Sequence, residues 1–331
     1  MIRYHAVGAL ALATGLLAFL CATPIATARD ALTEIRIDWA TYNPVSVALK
    51  ESRLLEGEFE KDGIAIRWIQ SMGSNKALEF LSAGALDFGS TAGASALIGW
   101  VHGNPIRAVY VYSHPEWTAL VTRIGSEIKT VADLKGKTIA VTRGTDPHVF
   151  LVRCLQQAGL SESDVKVILL QHADGKAALL RGDVDAWAGL DPLMAAAELE
   201  GSAKIFHRDK TSNSWGILNV RQAFADGHPD VVRRVLKTYD LAKAWSIAHP
   251  EELRRLLAKS AKLPLAVVER QMSDRTELTV PAIGDAQKTT IYEAGLALQK
   301  AGVIRNDVDL RSAVDHLVDT QYSRGEIDLR D

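Results

Sequence analysis

The sequence predicts an α/β protein in which parallel strands are covered by helices, because strand-like and helix-like stretches alternate along most of it. The alternation runs through two successive series, and 331 residues exceed what one ordinary core accommodates, so two domains are expected. In the first series residues 34–40 read as a strand and 44–55 as a helix. A strand follows at 64–69, a helix at 75–83, a short strand at 86–89, an apolar helix at 92–101 and a strand at 106–112. The second series begins near Trp117, with strands at 119–123, 138–142, 165–170, 186–189 and 203–206. Helices at 131–134, 147–158, 174–181 and 192–199 separate them. Residues 215–220 alternate like one more strand. From Pro229 to Tyr322 the pattern is mostly helical, and Trp245, Leu253, Leu256, Leu257 and Leu265 supply apolar positions that pack this tail on a domain. No short internal repeat and no low-complexity linker interrupts the order.

Composition narrows the function. Apolar residues make up 47% and charged residues 24%, and the net charge is −2, so nothing points to nucleic acid, which asks for a basic face. Arg3 and His5 precede an unbroken apolar run over residues 6–20, and Ala26-Thr27-Ala28 follows. A basic start, a short apolar core and a small-x-small site form a secretory signal peptide, here with cleavage expected after Ala28. The run is shorter than the ~20 residues that span a bilayer. Cys21 follows Ala18-Phe19-Leu20, which lacks the small residues of a lipidation site. After cleavage Cys154 is the one cysteine left, so no internal disulfide is expected even in an exported protein.

The binding chemistry is expected where strands end and helices begin, since ligands of open parallel sheets lie beyond the carboxyl ends of the strands. Four junctions share a character. They are Thr41-Tyr42-Asn43-Pro44, Ser71-Met72-Gly73-Ser74-Asn75, Gly89-Ser90-Thr91-Ala92-Gly93 and Arg143-Gly144-Thr145-Asp146-Pro147-His148. Each offers glycine, hydroxyl or amide groups just before a helix, whose first turn leaves about four N–H groups unpaired at the positive end of the helix dipole. Several such ends converging on one cleft would hold an anion without many formal cations. Any one junction taken singly reads as ordinary capping; the set carries the inference.

Enzyme motifs fail on their residues. Lys135-Gly136-Lys137-Thr138 matches the end of a phosphate-binding loop, but Val131 stands where its first glycine is required. Gly89-Ser90-Thr91-Ala92-Gly93 has the outline of a nucleophile elbow with threonine at its centre and no evident base. Cys154, among Phe150, Leu151, Leu155 and Ala158, reads as a buried inert thiol. The nine histidines show no paired metal-ligand spacing, so no metal and no cofactor is expected.

Longer motifs connect these junctions. Thr130-Val131-Ala132-Asp133-Leu134-Lys135-Gly136-Lys137-Thr138-Ile139-Ala140-Val141, Gly144-Thr145-Asp146-Pro147-His148, Gly182-Asp183-Val184-Asp185-Ala186-Trp187-Ala188-Gly189-Leu190-Asp191-Pro192 and, earlier, Leu86-Asp87-Phe88-Gly89-Ser90-Thr91 are similar to motifs of one family. The chain resembles the nitrate/sulfonate/taurine family of ABC-transporter substrate-binding proteins over nearly its whole mature length, most of all the aliphatic sulfonate-binding branch. The resemblance implies a type II periplasmic-binding-protein fold with two α/β lobes, two crossovers and a helical C-terminal extension. It places lobe 1 at residues 29–115 plus 213–331 and lobe 2 at 116–212. It implies a small organic anion, such as an aliphatic sulfonate, in the cleft, and hinge closure that presents the protein, as a monomer, to a membrane permease with its cytoplasmic ATPase. Taurine, nitrate or a carboxylate are the alternative ligands, and a pyrimidine-synthase-like enzyme on the same fold is the alternative function.

Carried over position by position, the ligand contacts are Tyr42, Asn43, Gly73, Ser74, Ser90 and Thr91 from the first lobe. Arg143, Gly144, Thr145, His148, Trp187 and Asp191 come from the second. Trp187 is either an apolar wall for a ligand tail or a core residue. Asp191 either caps the helix opened by Pro192 or makes a hinge-side hydrogen bond. Arg143 either pairs with the sulfonate or faces solvent. The sequence departs from the branch at Asp146-Pro147, where sulfonate binders often carry serines. A carboxylate ~4 Å from a bound anion repels it by roughly 4 kcal/mol at an effective dielectric of 20. Asp146 therefore either points away from the ligand or accompanies a ligand that also carries a cation.

Overall fold

The computed structural model describes residues 32–322. The expected signal peptide and its cleavage site lie outside the described residues. The first series gives β1 (Glu34–Trp39), α1 (Pro44–Glu51), α2 (Leu54–Phe59), β2 (Ala65–Gln70), α3 (Ser74–Ser82), β3 (Phe88–Ala92), α4 (Gly93–Val101) and β4 (Ile106–Pro115). The second gives β5 (Thr118–Arg123), β6 (Thr138–Val141), α5 (Asp146–Gln157), β7 (Lys166–Leu169), α6 (His172–Arg181), β8 (Ala186–Leu190), α7 (Leu193–Leu199) and β9 (Ala203–His207). The chain then returns through β10 (Gly216–Arg221), α8 (Gln222–Gly227), α9 (Pro229–Ala248), α10 (Pro250–Ala261), α11 (Leu265–Arg275), β11 (Thr276–Glu277), α12 (Asp285–Lys300) and α13 (Leu310–Leu317).

Two separate sheets form, as the two series predict. The first runs β11-β4-β10-β3-β1-β2 and the second β7-β6-β8-β5-β9. They are mixed rather than purely parallel. β1 pairs parallel with β2 and β3, whereas β10 enters antiparallel between β3 and β4. In the second sheet β6 pairs parallel with β7 and β8, and β5 enters antiparallel between β8 and β9. Each antiparallel strand is the first one laid down after the chain passes from one sheet to the other, so both crossovers end inside a sheet. The parallel strands bury Ile35, Ile37 and Phe88 in one half and Ile139, Ala140 and Ala186 in the other, as strands covered on both faces require.

Local departures from the sequence reading have physical causes. The helix expected over 44–55 breaks at Arg53, which takes a left-handed conformation (φ 54°) and starts α2 afresh. The strand expected at 86–89 lies two residues later, because β10 pairs with it through Ala92. Asp87, ahead of the strand, is tied down by Arg36 and Arg221. In the helical tail Leu253 and Leu257 are buried as predicted, but Leu265 is exposed. Among the described residues no helix is long and apolar enough to cross a membrane.

Candidate functional site

The loops that follow β1, β2, β7 and β8 meet in a groove of about 610 Å³. The first sheet contributes Thr41 and Tyr42 after β1 and Ser71, Met72, Lys76 and Phe80 around the start of α3. The second contributes Gln171, His172, Ala173 and Asp174 at the start of α6, and Leu190, Asp191, Pro192 and Leu193 beyond β8. Ala261 and Leu263, past α10, close one side. Below the groove lies a second space of about 10 Å³, bounded by Tyr42, Ser74, Trp117, Thr145, Asp146, Pro147, His172 and Leu190. Tyr42, His172 and Leu190 line both. A volume of several hundred Å³ with mixed apolar and polar walls suits an organic ligand of moderate size.

The helix starts divide into those that remain open and those satisfied from within. At α3, Gly73 is the N-cap; Lys76 and Ala77 donate to its carbonyl, which leaves the Ser74 and Asn75 N–H groups without helical partners. At α6, Gln171 precedes the helix and Gly175 donates to its carbonyl, so the first turn again carries free N–H groups. The other expected anion sites keep fewer open N–H groups. At α1 the Asn43 side chain accepts from the Ser46 N–H at 3.1 Å. At α4 the Gly93 N–H donates to the Trp215 carbonyl and that of Ala94 to the Ser214 hydroxyl. At α5 Pro147 has no N–H to offer, and both His148 and Val149 donate to the Thr145 carbonyl. The converging cradle expected from four junctions is reduced to α3 from that set, joined by α6, which the sequence reading did not include.

Tyr42, Ser74, Thr145 and Asp191 line the cavities, and Gly73 abuts them. The remaining expected contacts lie outside the linings of both cavities. Asn43, Ser90 and Thr91 are fully buried beneath the floor. Asn43 donates to the Ser90 hydroxyl at 2.8 Å, Ser90 donates to Asp38 through both its N–H and its hydroxyl at 2.8 Å, and Thr91 accepts from Asn219. Ser90 and Thr91 sit within β3 because the strand continues past them. His148 is fully buried under α5 with Nε2 3.1 Å from a Glu162 oxygen, and this contact holds the Glu162 carboxyl below its ordinary range. Arg143 is exposed and, like Gly144, lines neither cavity. Gly144 serves the turn into α5, at φ +75°.

Trp187 is a core residue, fully buried with Ala119, Val121, Ala140 and Leu179. Trp187→Phe should lower unfolding stability by about 1–2 kcal/mol, less than a full truncation, because the ring still fills most of the site. Ligand-induced stabilisation should be unchanged; a variant that folds but loses its ligand response would return Trp187 to the site.

The Asp146 carboxylate is engaged within the protein. Its oxygens accept from the Trp117 Nε1–H at 2.6 Å, the Ser214 N–H at 3.0 Å and the Ser214 hydroxyl at 2.6 Å. Burial nonetheless pushes its carboxyl upward. Asp191 takes both roles offered for it. It accepts from the Ala195 N–H in the first turn of α7 at 2.9 Å, and it pairs with Arg275 at 3.1 Å beside the passage from β4 to β5.

Beneath the floor, burial pushes the Asp38 carboxyl up to about 6 against its hydrogen bonds from Ser90. A folded-state value above the unfolded one contributes stability that is complete below about pH 4 and lost as pH rises through 6. Relative to Asp38→Asn, the wild type should therefore lose on the order of 3 kcal/mol between pH 4 and pH 8. Urea unfolding of both proteins across that range checks it, and a difference that does not vary with pH would count against the assignment.

Among the described residues no group of three or more His, Cys, Asp or Glu side chains is placed to hold a metal ion. The Cys154 thiol is buried and burial pushes it well above its usual range, so it is no nucleophile at neutral pH.

Comparison with known proteins gives the context for this site. The NMT1/THI5-like family model matches residues 56–253. An Escherichia coli (strain K12) protein named as an aliphatic sulfonates-binding protein is 28% identical over 282 residues, 85% of this chain and 88% of that one. The solved structure of the alkanesulfonate-binding protein SsuA from Xanthomonas axonopodis pv. citri, bound to MOPS, superposes with a TM-score of 0.77 at 28% identity. It covers 85% of this chain and 97% of that one. A 4-amino-5-hydroxymethyl-2-methylpyrimidine phosphate synthase of Schizosaccharomyces pombe is 26% identical over 161 residues, 49% of this chain and 45% of that one.

Proposed function

Since the chain belongs to the NMT1/THI5-like family, we propose that it is the solute-binding component of an ABC importer, taking an organic sulfonate between its two sheets. The observation that carries this reading is the groove itself: one cavity of about 610 Å³ walled from both sheets, with open helix starts on each side and apolar surface between them. The two sheets centre two lobes, residues 29–115 plus 213–331 and residues 116–212, and the lobes close on the ligand. The sulfonate oxygens take N–H groups from the first turns of α3 and α6, where the helix dipoles favour negative charge. Met72, Phe80, Leu193 and Leu263 receive the apolar tail. Lys76 is the cation of the lining, and it already pairs with Glu79 at 2.6 Å, so recognition rests on dipoles more than on formal charge.

The similarity that spans the chain at 28% identity is to binding proteins, whereas the synthase matches less than half of either sequence and a desulfurization enzyme of like fold is only 15% identical. The chain is therefore a binding protein and not an enzyme. Export, with cleavage after Ala28, brings it as a monomer to a permease and its ATPase. A thermal-shift panel tests the ligand class. A sulfonate with a short apolar tail at ~100 times its dissociation constant should stabilise the fold by about 2.7 kcal/mol. Stabilisation by nitrate or a carboxylate, with none by any sulfonate, would overturn the assignment.

A further inference from the structure

The small space below the groove is bordered by an acceptor that has no partner. Thr142 has one hydroxyl proton, and it donates to the Leu170 carbonyl at 2.7 Å. The same oxygen lies 3.1 Å from Nδ1 of His172, so Nδ1 carries the hydrogen and donates to it. Burial pushes the His172 ring down to about 4, which keeps it neutral at physiological pH. Nε2 is then a bare acceptor. It is buried, has no partner, and belongs to a residue only 3% exposed that lines both cavities.

The neighbouring groups repeat this polarity. The Tyr42 hydroxyl donates to the Ser90 carbonyl at 3.0 Å and that of Thr145 to the Thr142 carbonyl at 2.6 Å, which leaves both oxygens with only acceptor capacity. Asp146 also borders the space, its carboxylate already held by Trp117 and Ser214. Against these stand the hydroxyl proton of Ser74, whose oxygen accepts from the Ala92 N–H, and the Ser74 N–H of the open helix start. About 10 Å³ admits roughly one water-sized group.

We propose that His172 is a specificity-determining residue whose Nε2 accepts a hydrogen bond from a hydroxyl or amino group on the ligand, so that the protein selects sulfonates that carry such a donor over plain alkanesulfonates. This rests on the sulfonate-binding reading above and names the substrate class within it. The donor enters the small space while the sulfonate stays in the larger groove, away from Asp146. A ligand that presents a methyl group there leaves Nε2 buried and unpaired, a larger loss than that of an ordinary hydrogen bond.

Isothermal titration with isosteric pairs tests the proposal: 2-hydroxyethanesulfonate against propane-1-sulfonate, and 3-hydroxypropanesulfonate against butane-1-sulfonate. The hydroxylated member of at least one pair should bind about tenfold more tightly. His172→Leu should abolish that preference; its folding is monitored by thermal melts, and Thr142 keeps its donation to Leu170. His172→Gln, which returns an acceptor near the position of Nε2, should retain the preference. Equal affinity within both pairs in the wild type, or a preference that survives in His172→Leu, overturns the role of His172 while leaving sulfonate binding intact. Failure of every sulfonate to bind overturns the sulfonate reading itself and this proposal with it.

Discussion

Replacing Arg275 with methionine should lower unfolding stability by about 3–5 kcal/mol at pH 7, the range seen when one partner of a buried ion pair is removed. Arg275 is 2% exposed in its side chain, Asp191 1%. Its guanidinium meets both Asp191 oxygens at 3.1 Å and also contacts Glu198. The pair joins the end of α11 to the end of β8. The Arg275 carbonyl accepts from the Glu116 N–H, in the passage from β4 to β5. Burial pushes the Asp191 carboxyl up to about 6, with the charge of Arg275 opposing the rise. Without the guanidinium the rise is larger, so Asp191 takes a proton more readily and the variant's deficit should shrink as pH falls from 7 to 5. Adding Asp191→Asn should recover much of the loss at pH 7, since a neutral amide oxygen still accepts from the Ala195 N–H. Guanidinium-chloride unfolding of the single and double variants measures both effects. A deficit below about 1 kcal/mol, typical of exposed pairs, would show that this pair is solvated.

Asp191 stood out in the sequence but Arg275 did not, because an arginine at the end of an amphipathic helix looks the same whether it faces water or a carboxylate from a distant strand. What alternation and junction chemistry did convey was the pair of α/β units and the edge of each sheet at which a ligand would lie. The order of strands escaped, since β10 and β5 enter their sheets by pairing with residues far away in sequence. The same non-local pairing moved Ser90 and Thr91 from a supposed binding loop into β3. Trp187 shows the limit at a single residue. Its motif is compatible with a cleft wall or a core, and the difference is decided by α6, whose Gly175 lies so close to the ring that an added Cβ would stand 2.8 Å from Nε1. His172 escaped for the opposite reason. The helix expected to begin at Asp174 begins two residues earlier, and that extension carries a buried acceptor into the site.

Gly73→Ala should weaken ligand binding by at least about tenfold while the protein still folds. Gly73 has φ +146°, a conformation that a side chain strains by about 1–3 kcal/mol. A Cβ there would stand 2.8 Å from His172 Nε2 and 2.8 Å from the Asn75 side-chain oxygen. Gly73 belongs to the first sheet's half and His172 to the second's, so their contact holds only while the halves are closed. The methyl group therefore acts as a wedge: relief comes by opening, and each opening separates the α3 and α6 helix starts proposed to share the ligand. A ligand that needs both must then supply the closing energy, and its apparent affinity falls by the fraction of molecules able to close. Two readouts separate wedge from strain. Small-angle scattering of Gly73→Ala with ligand should give a larger radius of gyration than the liganded wild type. Gly73→Ala/His172→Ala should regain the compact form, because it removes the collision across the halves but neither the contact with Asn75 nor the positive φ. If the double variant stays as open as the single, the positive φ or the Asn75 contact at residue 73 governs the opening, and the contact with His172 is not what limits closure.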